Sequence, residues 1–104
     1  MGKTDDLRQL VNLLTKALRH KIGSLVNANE FYVSKYAKDA EIILKEAEKV
    51  LLKRHWNLND KQEIKTHLKK QLKEELTEKT FLDNKKFEMM DEELGKVLKQ
   101  LSLV

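Results

Sequence analysis

Residues 61–73, KQEIKTHLKKQLK, are the stretch whose residue types and spacing most suggest chemistry. Lys61, Lys65, Lys69 and Lys73 recur every four residues, Lys70 and His67 join them, and no acid occurs from 64 to 73. On a helix, side chains four apart are neighbours, and each like-charged pair costs about 0.2–0.5 kcal/mol. A helix shaped by stability alone would mix signs, as Lys45, Glu46, Glu48 and Lys49 do. Lys61, Lys65, Lys69, Lys70 and Lys73 are therefore the candidate anion ridge, suited to phosphate backbones, a lipid surface or an acidic partner. The competing expectation is a solvated face that keeps a thinly apolar helix soluble, opposite acids such as Glu88, Glu92 and Glu93. No aromatic residue interleaves with the lysines, so the row lacks the stacking plates that hold single-stranded bases.

Other arrangements fall short of the chemistry they suggest. Gly2-Lys3-Thr4 ends like a phosphate-binding loop, but no strand and no earlier glycine precede it to aim backbone N–H groups at a phosphate. Glu63 and His67 share a helix face. A di-iron bundle needs Glu and His three apart on two helices, and a zinc protease needs two histidines around a glutamate. The three histidines, His20, His55 and His67, stand on separate segments. Ser24, Ser34 and Ser102 sit in no nucleophile elbow. The chain has no cysteine, which removes thiolate metal sites, disulfides and cysteine nucleophiles. No catalytic residue, metal site or cofactor is expected. An acid–base pair of carboxylates between helices is the weaker alternative.

Three apolar or aromatic stretches are candidates for partner contact. In VLLKRHWNLND, residues 50–60, Trp56 follows Lys53, Arg54 and His55. These are expected to end a long helix, with Trp56 closing the bundle beside Leu58 and its indole N–H facing outward. Phe31, Tyr32 and Tyr36 crowd the start of that helix and form one candidate interaction surface, or else pack into the core or the end of the bundle. Leu94, Leu98 and Leu101 form a second, either a core stripe or a helix face offered to a partner's groove.

These residues must be positioned by helices, because apolar residues fall at helical intervals and alternating runs are missing. The first helix is expected over about 5–22, capped by Thr4, with Leu7, Val11, Leu14 and Leu18 as its face, Leu10 and Ala17 widening it, and Gly23 as its stop. The second, over about 28–55, is capped by Asn27 and Glu30. It carries the seam Val33, Tyr36, Ala40, Ile43, Ala47, Val50, stepping by three and four. The third, over about 60–79, starts near Asn59 or Asp60 with Gln62 and Glu63 completing a cap, and has a thin stripe of Ile64, Leu68, Leu72 and Leu76. The fourth, over about 84–101, follows a turn at FLDN with Asp83 as cap, and carries Phe87, Met90, Leu94, Val97 and Leu101.

The expected fold is all-α, one domain over residues 1–104: an up-down antiparallel four-helix bundle with coiled-coil-like packing. The long second helix leaves part of its seam for a second copy to cover. At 40% hydrophobic and 37% charged, the composition fits a folded soluble domain. No apolar run reaches the roughly 18 residues of a membrane span, and two acids near the start disfavour a signal peptide. Position 6 is Asp6, which breaks a myristoylation motif at Gly2. A cytoplasmic location is expected. Formal charge is +4, with nine Lys/Arg against seven Asp/Glu in residues 1–52 and twelve against ten in 53–104. The expected function is a non-catalytic helical interaction module, an adaptor or assembly factor that self-associates, with a protein partner or its own copy. The alternative is a nucleic-acid-binding protein using the lysine ridge.

Overall fold

A computed structural model describes residues 2–26, 30–80 and 84–103, with side chains for all of these except 30–32. The described residues form four helices and no strand: α1 (Lys3–Val26), α2 (Glu30–Leu51), α3 (Leu58–Glu78) and α4 (Lys85–Gln100). The molecule extends 40 × 23 × 22 Å. Its long axis is close to the roughly 36 Å of α1 at 1.5 Å per residue, so the helices lie side by side. Helix α1 packs against α2, α3 and α4, and α3 packs against α4. Among the described residues α2 approaches no helix but α1. The packing is that of a helical bundle built around α1.

The core follows from two apolar rows at spacing four. In α1 the deepest row is Leu10, Leu14, Leu18 and Ile22. Leu7, expected on the inner face, is half-buried and lies at its margin. In α3, Ile64, Leu68, Leu72 and Leu76 are each 0% exposed. Rows at spacing four form the inclined ridges that interdigitate between packed helices, so a stripe that looks thin in sequence can be wholly covered. Leu94, Leu98 and Leu101 join this core beside Met90 and Leu103.

Helix ends differ from expectation for identifiable reasons. Helix α1 runs through Gly23 to Val26, because Gly23 does not adopt the left-handed conformation that ends a helix. Gly23 instead meets the Tyr36 ring, where an added Cβ would lie 3.4 Å from its Cδ2. Helix α2 stops at Leu51, not near 55, so Lys53, Arg54 and His55 lie beyond it, and α1, at 24 residues, is the longest helix. The Trp56 indole N–H turns inward and donates to the Leu51 carbonyl at 2.8 Å, satisfying an acceptor that the helix end leaves open. Leu58 does not close the bundle; it is 84% exposed.

Helix α3 starts earlier than expected because its cap is Asn57. The Asn57 side chain accepts from the Asp60 N–H at 2.8 Å, and the Asp60 carboxylate accepts from the Asn57 N–H at 2.9 Å. This is a capping box with Asp in the usual Glu position. Asp83, the expected cap of α4, and the proposed Asn27 cap lie outside the described residues. Past α4, Ser102 takes a φ of 56°, and the Leu103 N–H reaches the Leu98 carbonyl at 2.8 Å. The Ser102 N–H donates to the Lys99 carbonyl at 3.2 Å, completing the two bonds of a Schellman motif that buries Leu103.

Candidate interaction surfaces

Because α2 rests on α1 alone, a trench opens between α2 and α4 with α1 as its floor. Its volume is about 440 Å³. Ala17, Leu18 and Leu25 come from α1, Ala37, Ala40 and Leu44 from α2, and Val97 from α4. Lys21, Glu41, Glu93, Lys96 and Gln100 complete the lining. The Glu93 carboxylate is buried and accepts from the Lys96 ammonium at 3.0 Å, which also lies 3.5 Å from Glu92. Those contacts hold the Lys96 ammonium more basic than an ordinary lysine, the hydrogen bond from Glu93 contributing most. The walls are apolar and the charge on the α4 rim is largely neutralised within the chain. Such a surface can take up apolar side chains from a partner.

Sequence reasoning missed this trench. Its walls use Ala17, Ala37 and Ala40, small residues that look like ordinary seam or flanking positions. The available signal was their coincidence on two neighbouring helices, which lets backbones approach but leaves shallow space at the surface.

The lysine ridge is laid out along α3. Lys61 and Lys65 are half-buried, and Lys69, Lys70 and Lys73 are exposed. Among the described residues no ion pair within 4.0 Å involves any of the five. Of the α4 acids expected opposite them, Glu92 and Glu93 face Lys96, and Glu88 is exposed and pairs with none of the five. On α3 itself, Glu75 pairs with Arg19 of α1.

The aromatic candidates separate. The side chains of Phe31 and Tyr32 lie outside the described residues. Tyr36 is half-buried between α1 and α2, its ring centroid 5.6 Å from that of His20 and tilted by 57°. It is part of the α1–α2 seam, not a free surface. Of the two readings of Leu94, Leu98 and Leu101, burial fits the core stripe: their side chains lie in the chain's own core, where α4 packs against both α1 and α3.

The α1–α2 seam also holds His20. Its Nδ1 is buried without a hydrogen-bond partner and stands 3.9 Å from Asp39 Oδ2. Burial lowers its pKa, with Arg19 adding to the effect, while Asp39 opposes it. Thr15 presents a second orphan, a buried hydroxyl in α1 with no partner.

At the other end of the molecule, α1 and α3 enclose a polar groove of about 440 Å³ that includes Glu63 and His67. Lys3 crosses it to reach Asp60 at 2.6 Å. That hydrogen bond, assisted by the capping bond from Asn57, holds the Asp60 carboxyl below the usual carboxylate range. Arg54, just past α2, pairs with Asp6 of α1 and ties the α2–α3 connection to the bundle. Among the described residues no three His, Asp or Glu side chains converge to hold a metal ion. No helix among them is long and apolar enough to cross a membrane. No protein family, curated protein or solved structure matches the chain.

Proposed function

We propose that this chain is a non-catalytic helical interaction module, an adaptor or assembly factor, and that it self-associates through the open side of α2. In this reading the helices run up and down as an antiparallel bundle, and a second copy completes the packing that α2 lacks. The observation that carries it is the one-sided support of α2. A helix with an apolar seam stabilises itself by covering that seam, and isolated amphipathic helices of this length owe most of their stability to such packing. Here Ala37 and Leu44 face an unfilled trench and Ile42 is 51% exposed. An apolar, largely charge-neutral surface of this kind marks a contact site on small domains.

Sedimentation velocity over a wide concentration range tests the proposal. A dimer that dissociates on dilution is expected for the native chain. Ala37→Glu, which places a carboxylate on the trench wall while keeping a good helix former, should give a monomer with unchanged helical circular dichroism. A native chain that stays monomeric at every concentration would remove the self-association reading.

A further inference from the structure

Thirteen residues of α3 account for the whole net charge of the molecule. Residues 61–73 contain five lysines and one glutamate, a balance of +4, which equals the formal charge of the entire chain. The remainder carries sixteen Lys/Arg against sixteen Asp/Glu. Comparing the two halves of the sequence hides this, because acids later in the second half offset the lysines. Long-range ion pairs join Lys3 with Asp60, Arg19 with Glu75 and Arg54 with Asp6. None of the five α3 lysines takes part in an ion pair among the described residues, and what sets them apart is their concentration on one helix.

The strip has a definite shape. Steps of four residues rise about 6 Å each, so Lys61 to Lys73 spans about 18 Å of helix. Each step also turns about 40°, so the row winds gradually around α3. A duplex strand places one phosphate per about 3.4 Å of axis, and 18 Å therefore passes about five of them. Helix α3 carries no Phe, Tyr or Trp on which unpaired bases could stack. Its apolar row is fully buried against α1 and α4, which leaves the single exposed Leu58 and not the apolar face that inserts into a lipid surface.

We propose that this ridge binds the phosphate backbone of double-stranded nucleic acid without reading its sequence, Lys61, Lys65, Lys69, Lys70 and Lys73 neutralising successive phosphates. The proposal is independent of the α2 surface, which lies on a helix whose backbone does not approach that of α3 among the described residues.

Fluorescence anisotropy with a labelled 20-base-pair DNA duplex, across 50–200 mM salt, provides the test. If four or five phosphates are neutralised, affinity should fall by roughly 150–500-fold over that range, following about −0.9 in log–log slope per contact. The variant Lys65→Gln/Lys69→Gln/Lys73→Gln should lower the slope by about 2.7. A control, Lys35→Gln/Lys38→Gln/Lys45→Gln, removes the same charge from exposed sites on α2 and should leave the slope nearly unchanged. Circular dichroism melts establish that both variants fold. If the ridge variant does not, Lys69→Gln and Lys73→Gln separately should each remove about 0.9 of slope. Three results would overturn the proposal: no duplex binding at 50 mM salt, equal losses from the two triple variants, or tighter binding to a single strand of equal length or to phosphatidylserine vesicles than to duplex.

Discussion

Helices α2 and α3 are nearly equal in length, 22 and 21 residues, yet they are held in opposite ways. In sequence α2 has the richer seam, six apolar positions in regular three–four steps, while α3 has four residues in a single file. In the structure the four α3 residues are each 0% exposed, whereas of the α2 seam only Ala47 is, with Ala40 and Val50 nearly so. Val33, Tyr36 and Ile43 stay half-buried. The difference lies in neighbours: among the described residues α3 is clasped by α1 and α4, and α2 by α1 alone. Burial is decided by how many partners surround a stripe, and a wide stripe with one partner leaves apolar surface over. That leftover surface is what a binding module needs.

The sharpest way to break this comparison is to truncate one leucine on each helix. Leu72→Ala in α3 should cost about 2–5 kcal/mol, the transfer loss plus the cavity left in an enclosed core. Leu44→Ala, on the trench side of α2, should cost about 1 kcal/mol, because that side chain is already partly in water. Urea denaturation of both variants measures the gap; equal losses would mean that α2 is as firmly enclosed as α3.

A smaller effect concerns how α3 begins. Asn57→Ala removes the acceptor for the Asp60 N–H and should cost about 1 kcal/mol in the same denaturation assay. No comparable loss is expected from Asn59→Ala, since the cap lies two residues earlier.

The smallest effect tests the single seam holding α2. With its pKa lowered in the fold, His20 binds a proton more readily in the unfolded chain. Its neutral form therefore supports the fold fully above the unfolded value near 6.5, and that support declines as pH falls below it. Melting temperature should accordingly drop between pH 7.5 and pH 5.5, and His20→Gln should flatten the drop. An identical pH response in native protein and variant would show that protonation at the α1–α2 contact is not felt by the fold.

Much of this architecture was legible in the residues. The four helices, the buried row of α3 and the acidic first turn of α1 follow from periodicity and charge; the α1 row follows only in part, since Leu14 and Leu18 lie on the expected face but Leu10 stands at its edge and Ile22 outside it. The ends were less legible. Gly23 reads as a stop, but a glycine also lets a ring approach closely, and the Tyr36 ring occupies that space. The Trp56 ring reads as closing the bundle and is buried, but its N–H, expected to face outward, found an unpaired carbonyl at Leu51. Asn57 was passed over because its partner, Asp60, is not the Glu or Gln of the usual capping pattern. In each case two local solutions were compatible with the same residues, and a long-range contact or a backbone hydrogen bond selected one.

The sequence by itself determined that the chain is helical, which residues form the buried row of α3, and that lysines cluster on α3 with no terminus to explain them. Those are local properties, set by spacing along the chain. Only the tertiary structure decided that α1 is the hub, that α2 is covered on one side, and that Glu92 and Glu93 of α4 turn to Lys96 and not to the α3 lysines. Such outcomes depend on which helices become neighbours, and that depends on competition among apolar faces for a limited interior.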